Sequence, residues 1–245
     1  MKNFKQQMKN LYGVTSILSD GKTNVKTAKN ELKTYIFYGS PYNQNYKGVN
    51  LCPNASKGCV KGCLNTAGMG VFKTVQDSRI RKVDFYLKDK LNFLTMLSNE
   101  IKSKVKTAQK NGYNVAFRLN GTTDIDIVYQ LKKYTDLDLI GMPNVILYDY
   151  TKTLGKALKY KDSPNYVHTF SRSESNDNEV EEAIKHGLNV AVVFANELPT
   201  IWRGITVIDG DKADDLMVKH KGVIIGLKAK GRARKDKTGF VIQNY

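Results

Sequence analysis

The chain has 245 residues, 41% of them apolar, which is enough to bury one substantial core, and 39 Lys and Arg against 23 Asp and Glu leave a formal net charge of +16. No apolar run approaches the roughly 18 to 20 residues that span a bilayer, and the N-terminal residues lack an apolar signal segment, which argues against membrane insertion and secretion. Positive charge on this scale favours polyanionic partners, either an anionic small molecule or nucleotide or a nucleic acid, although a solvated lysine-rich surface explains it equally well.

Residues 1–30 are lysine-rich with a broken apolar pattern and read as a basic, flexible segment, whereas residues 31–245 contain no linker or repeat and read as a single α/β domain. Short β-branched and aromatic runs predict strands at 34–38, 114–119, 145–150, 166–171, 189–194, 205–208 and 223–227. Between the first two, Val83, Leu87, Leu91, Leu94, Leu97, Ile101 and Val105 recur every three or four residues, the stripe of a long helix that Gly112 closes. Shorter helices are expected at 126–134, 151–160, 178–186 and 212–219. Several strands are almost continuously apolar, as strands covered on both faces are. Strands alternating with helices predict parallel pairing, and a TIM-like (β/α) barrel, full or partial, follows more naturally than a sandwich.

The three cysteines, Cys52, Cys59 and Cys63, all lie in the loop after the first predicted strand, spaced C-x6-C-x3-C among Pro53, Lys57, Gly58 and Gly62. Three thiols this close suit an iron–sulfur cluster with one iron left open, or a zinc ion completed by a ligand from elsewhere in the chain. Disulfides would leave one cysteine unpaired, and gathering every cysteine into one glycine-containing stretch is a ligand pattern rather than core filling.

Ligands of parallel α/β folds bind beyond the carboxyl ends of the strands, and those positions are polar here. The second strand runs into Arg118, with Asn120 and Asp124 after it, Asp149 ends the third, His168 and Ser171 end the fourth, Asp209 follows the sixth, and Lys228 and Lys230 follow the last. Asp124, Asp149 and His168 are the candidates for proton transfer, and Arg118, Asn120, Ser171, Asp209, Lys228 and Lys230 for holding a substrate or cofactor. Each has a plainer alternative: a turn or helix cap for Asn120, Asp124, Asp149 and Asp209, a satisfied core imidazole for His168, and a solvated turn for the lysines.

Taken together, the three-cysteine loop, the segment from Arg118 to Asp126, and the ending through Gly210 and Gly226 to Gly231 make the chain resemble a family of bacteriophage gene products to which no activity is assigned. The likeness runs from about Tyr35 to Val241. More distantly, the architecture is similar to that of radical SAM enzymes, whose three cysteines follow the first strand of a partial barrel and hold a [4Fe–4S] cluster whose open iron chelates S-adenosylmethionine. The spacing departs from their usual C-x3-C-x2-C, and Gly62 stands where an aromatic residue normally precedes the last cysteine. The resemblance implies a phage-encoded [4Fe–4S] enzyme with Cys52, Cys59 and Cys63 as ligands, acting on S-adenosylmethionine or directly on its substrate, in the cytoplasm of the host cell. The alternative is a nucleic-acid-binding protein with a structural zinc site.

Overall fold

A computed structural model describes residues 2–24 and 26–244. Its strands are β1 (Leu18–Asp20), β2 (Lys33–Phe37), β3 (Val115–Arg118), β4 (Val145–Thr151), β5 (Tyr166–Ser171), β6 (Asn189–Phe194), β7 (Ile201–Trp202), β8 (Ile205–Asp209), β9 (Ile224–Lys228) and β10 (Val241–Ile242). They form one sheet in the order β1-β2-β3-β4-β5-β6-β9-β8-β7, with β10 beside β6. Every neighbour from β2 to β8 is parallel, while β1 and β7 pair antiparallel at the two ends. The fold is therefore mixed α/β with a mostly parallel sheet, as the alternation of strands and helices requires.

Six parallel strands, β2, β3, β4, β5, β6 and β9, follow one another in chain order, which is the winding of a barrel. Closure does not occur: among the described residues the pairing ends at β1 on one side and β7 on the other. Of the TIM-like barrel, full or partial, expected from the sequence, the α/β alternation and parallel pairing are present, but the sheet is open. The physical reason lies on the inner face, where chain segments rather than further strands supply the cover.

The helices are α1 (Lys2–Tyr12), α2 (Lys57–Lys61), α3 (Lys73–Lys88), α4 (Lys90–Lys110), α5 (Ile127–Tyr134), α6 (Leu154–Lys159), α7 (Asp177–Lys185) and α8 (Leu216–Lys219). The outer face of the sheet carries Tyr35, Phe37, Val115, Phe117 and Leu147 against the buried stripes of α3, α4 and α5, and Phe170, Val190, Val192 and Ile224 against α6 and α7. Residues of opposite parity, Ala116, Tyr148, Tyr150, Val167, Ala191 and Ile225, point inward and pack on Met217 and Val218 of α8. Residues 26–32 complete that inner cover and are pinned to the segment before α8. Asn30 Oδ1 accepts the Asp214 and Asp215 N–H groups at 2.8 and 3.3 Å, and Asp215 accepts the Glu31 N–H at 3.0 Å.

The single long helix expected between the first two predicted strands is two helices. Asp89 leaves the helical conformation (φ −147°, ψ 72°) and its side chain accepts the Asn92 N–H, ending α3 and capping α4 in one residue. The break re-phases the apolar stripe, so Leu91 is exposed and Phe93 is buried instead. At the N-terminus, α1 places a buried Met8 in the core and stacks Tyr12 on Phe85 at 4.2 Å. Among the described residues no helix is long and apolar enough to cross a membrane.

Candidate functional site

After β2 the chain does not return directly to the sheet but crosses the carboxyl ends of its neighbours, and specific bonds fix each crossing. Leu51 accepts the Asp124 N–H at 2.8 Å, and the Cys52 thiol approaches the Thr122 carbonyl at 3.7 Å, both beyond β3. Asn54 donates to the Lys152 carbonyl and Thr153 hydroxyl beyond β4. Glu174, beyond β5, accepts from the Ser56 hydroxyl at 2.6 Å and the Gly58 N–H at 2.7 Å, so a carboxylate caps the start of α2. Gly58 in turn presses on the C-terminal segment, where any Cβ would collide with Thr238 and Phe240. The cysteine segment thus lies as a cap over the mouth of the parallel strands, with Cys52 in the loop, Cys59 on α2 and Cys63 just after it.

All three cysteines are free and half-buried. The Cys52 thiol is pushed up to about 11, chiefly by burial and further by Cys63, Cys59 and Asp124, against the pull of the Tyr42 N–H that it accepts at 3.4 Å. Burial likewise raises Cys63, Cys59 adds to the rise, and the Asn65 N–H, Arg79 and Lys152 oppose it. The thiols therefore lie within reach of one another's charge. No three His, Cys, Asp or Glu side chains among the described residues are grouped as a ready ligand set for a metal ion, so ligation asks the thiols to move or to be spanned by a polynuclear group. Tyr42, which supplies the N–H to Cys52, holds φ at 53°, the left-handed region that a bulky residue rarely occupies.

Beside Cys63 lies Arg79 of α3, which sequence reading passed over. It is buried, donates to Asn65 at 2.5 Å, covers the Tyr38 ring at 5.0 Å, and leaves its Nε without a partner among the described residues. Burial lowers its pKa, and the groups that oppose this are Tyr38 and Cys63 rather than a carboxylate. The signal was available: Arg79, Lys82, Val83 and Tyr86 share one buried face of α3, and a cation on such a face is unusual.

The residues singled out from the sequence divide between the mouth and other places. Asp124 is at the mouth near Cys52, ion-paired to Lys156 and accepting the Thr151 hydroxyl and Lys152 N–H, each at 2.8 Å. Asn120 closes the turn after β3 by accepting from Thr123 and Ile125, and passes its own N–H groups to Asp149. Asp149 and His168 sit on the outer face, in the helix-covered layer of Leu147, Tyr166 and Phe170. Burial pushes Asp149 up to about 6, against the pull of Lys156, Arg118 and Asn120. Burial likewise pushes His168 down to about 3. Ser171 is half-buried and lends its carbonyl to Asn176, while Asp209 accepts the Asp211 N–H in a turn. Lys228 and Lys230 are exposed and both bind Asp211, the first through its backbone and the second through Nζ at 2.7 Å. Arg118 points inward, 3.4 Å from Asp214 and 5.0 Å from the Tyr150 ring centroid.

No curated protein and no solved structure matches the chain. The family model described as Gene product 88 does, over residues 16–244, a span that takes in every strand of the sheet and the whole cysteine cap. The chain therefore belongs to the Gene product 88 family of phage gene products.

Proposed function

We propose that the protein is an iron–sulfur enzyme in which Cys52, Cys59 and Cys63 hold a [4Fe–4S] cluster with one iron left open to S-adenosylmethionine or substrate. The observation that supports this reading is that the one segment bearing all three free cysteines crosses the carboxyl ends of the parallel strands, with the buried guanidinium of Arg79 beside Cys63 opposed by no carboxylate among the described residues. Three thiolates bring negative charge into a half-buried site, and Arg79 and Lys152 supply the opposing charge. Backbone N–H groups of Tyr42 and Asn65 point at Cys52 and Cys63, the kind of hydrogen bonding that tunes cluster sulfurs. Bound there, the cluster would supply an iron without a protein ligand. Asp124, tied to Lys156 and next to Cys52, is the carboxylate best placed to orient a ligand at the mouth. The sequential parallel strands serve as the partial-barrel wall of this site.

Anaerobic reconstitution followed by iron and sulfide analysis tests the reading. The parent chain should take up both with absorption near 400 nm, and Cys52→Ala, Cys59→Ala and Cys63→Ala should each lose them, since the chain has no fourth cysteine. Equal iron and sulfide in the parent and all three variants would sink the assignment. A second reading, nucleic-acid binding around a structural zinc, is favoured by one observation: exposed Arg232, Arg234 and Lys235 lie beside α2. Colourless protein with one zinc per chain would select it.

A further inference from the structure

A second cluster of unmatched charge lies on the inner face of the sheet. Asp214, buried in the segment before α8, accepts from the Lys26 ammonium at 2.7 Å, from the Thr27 hydroxyl at 2.6 Å and from Arg118 at 3.4 Å. Two cations therefore share one carboxylate, and Arg118 and Asp214 are 8% and 3% exposed. An uncompensated charge at such depth is strongly unfavourable unless something opposes it. The donors are also in excess. Among the described residues Arg118 Nε has no partner, nor does the buried Thr169 hydroxyl, which stands on the same face next to Tyr150 in the β4–β5 register.

The cluster is not sealed. The Lys26 side chain is 19% exposed, and Tyr38 and Tyr150, whose rings stand beside Arg79 and Arg118, are half-buried, so the cluster reaches solvent at Lys26. Asp214 is held ionised, with a pKa of about 2, because the pull of Arg118 and Lys26 outweighs its burial.

We infer that Arg118 and Lys26 form an oxyanion site on the inner face, which takes the carboxylate or phosphate group of a small molecule and in which Asp214 is the built-in counter-ion that such a ligand displaces or joins. The site is made by β3, β4 and the segments 26–32 and 212–215, and it stands whether or not the cysteines hold a cluster. Where both hold, Tyr38 links them, since it lies between the charges of Arg79 at the cysteine cap and Arg118 inside.

Isothermal titration calorimetry on the full chain, with inorganic phosphate and acetate added in separate arms at constant ionic strength, tests this directly. The parent should bind at least one of them, and the tighter arm tells a phosphate-bearing from a carboxylate-bearing ligand. Lys26→Met should weaken that binding about tenfold or more, a single lost charge-assisted hydrogen bond, while Lys29→Met, an exposed neighbour, should leave it unchanged. Asp214→Asn should tighten it, because the competing carboxylate is gone, even as it lowers the melting temperature of the anion-free protein. Absence of binding by the parent, equal losses in Lys26→Met and Lys29→Met, or weaker binding by a folded Asp214→Asn would each overturn the inference. Should Asp214→Asn fail to fold, the comparison of the parent with the two lysine variants decides alone.

Discussion

His168 lies between two phenol rings, 4.1 Å from Tyr166 and 5.5 Å from Tyr160, with neither ring nitrogen hydrogen-bonded among the described residues. Burial, helped by the charge of Lys156, holds its pKa near 3. An unfolded histidine titrates near 6.5. Between these values the folded chain binds fewer protons than the unfolded one, so this residue makes stability fall as the pH drops from about 6.5 towards 3. Asp149 acts in the opposite sense: its folded pKa of about 6 exceeds the unfolded value, and its contribution is lost as the pH rises from about 4 through 6. His168→Phe should keep the ring packing, remove two unpaired polar atoms, gain about 1 to 3 kcal/mol at neutral pH and flatten the acid limb of a melting-temperature profile. An unchanged acid limb would mean that the imidazole has a proton partner in solution. The sequence offered no way to see this arrangement, because an apolar run containing one histidine looks the same whether that histidine faces the mouth or the helices. Only the parity of β5, with Tyr166 and Phe170 in the outer core, decides it.

A helix too short to stand alone carries the cysteine cap. With five residues α2 cannot hold itself together in water, and its position rests on the Glu174 cap and on contact with the C-terminal segment. Glu174→Gln replaces a charge-assisted acceptor and should loosen the cysteine cap by about 1 to 3 kcal/mol without unfolding the sheet. Hydrogen exchange localised to residues 56–63 would show it, and uniform loss of protection across the strands would instead mean that the cap and the sheet unfold together. Strand positions were legible because continuous apolar runs of about five residues, such as Val190 to Phe194, have few other uses in a chain of this kind. The cysteines were legible by their clustering alone. What stayed hidden was set by tertiary contact: the break at Asp89, where Tyr12 donates to the capping carboxylate from 77 residues away, and the cap on α2, where Glu174 reaches back from beyond β5. Local periodicity carries no trace of a partner that distant.

For the molecule as a whole, a net charge of +16 is spread largely over exposed lysines and arginines, so the folded state carries its own repulsion. Raising chloride from about 0.05 to about 0.5 M shortens the screening length below typical charge spacings and should raise the melting temperature; a fall would mean that the surface ion pairs outweigh the repulsion. The inner cover of the sheet has another consequence, one of timing. The hydroxyl of Thr27 and the carboxylate of Asp214 are 187 residues apart, and the Asn30 contact to Asp214 spans 184. Emerging from a ribosome, strands β2 to β6 meet their outer helices within a few dozen residues, yet their inner side waits for residues 214–217 to arrive. For most of its synthesis the nascent chain is a half-roofed sheet with apolar residues open to the cell, and chaperone occupancy on the unfinished chain should end only when α8 has left the exit tunnel.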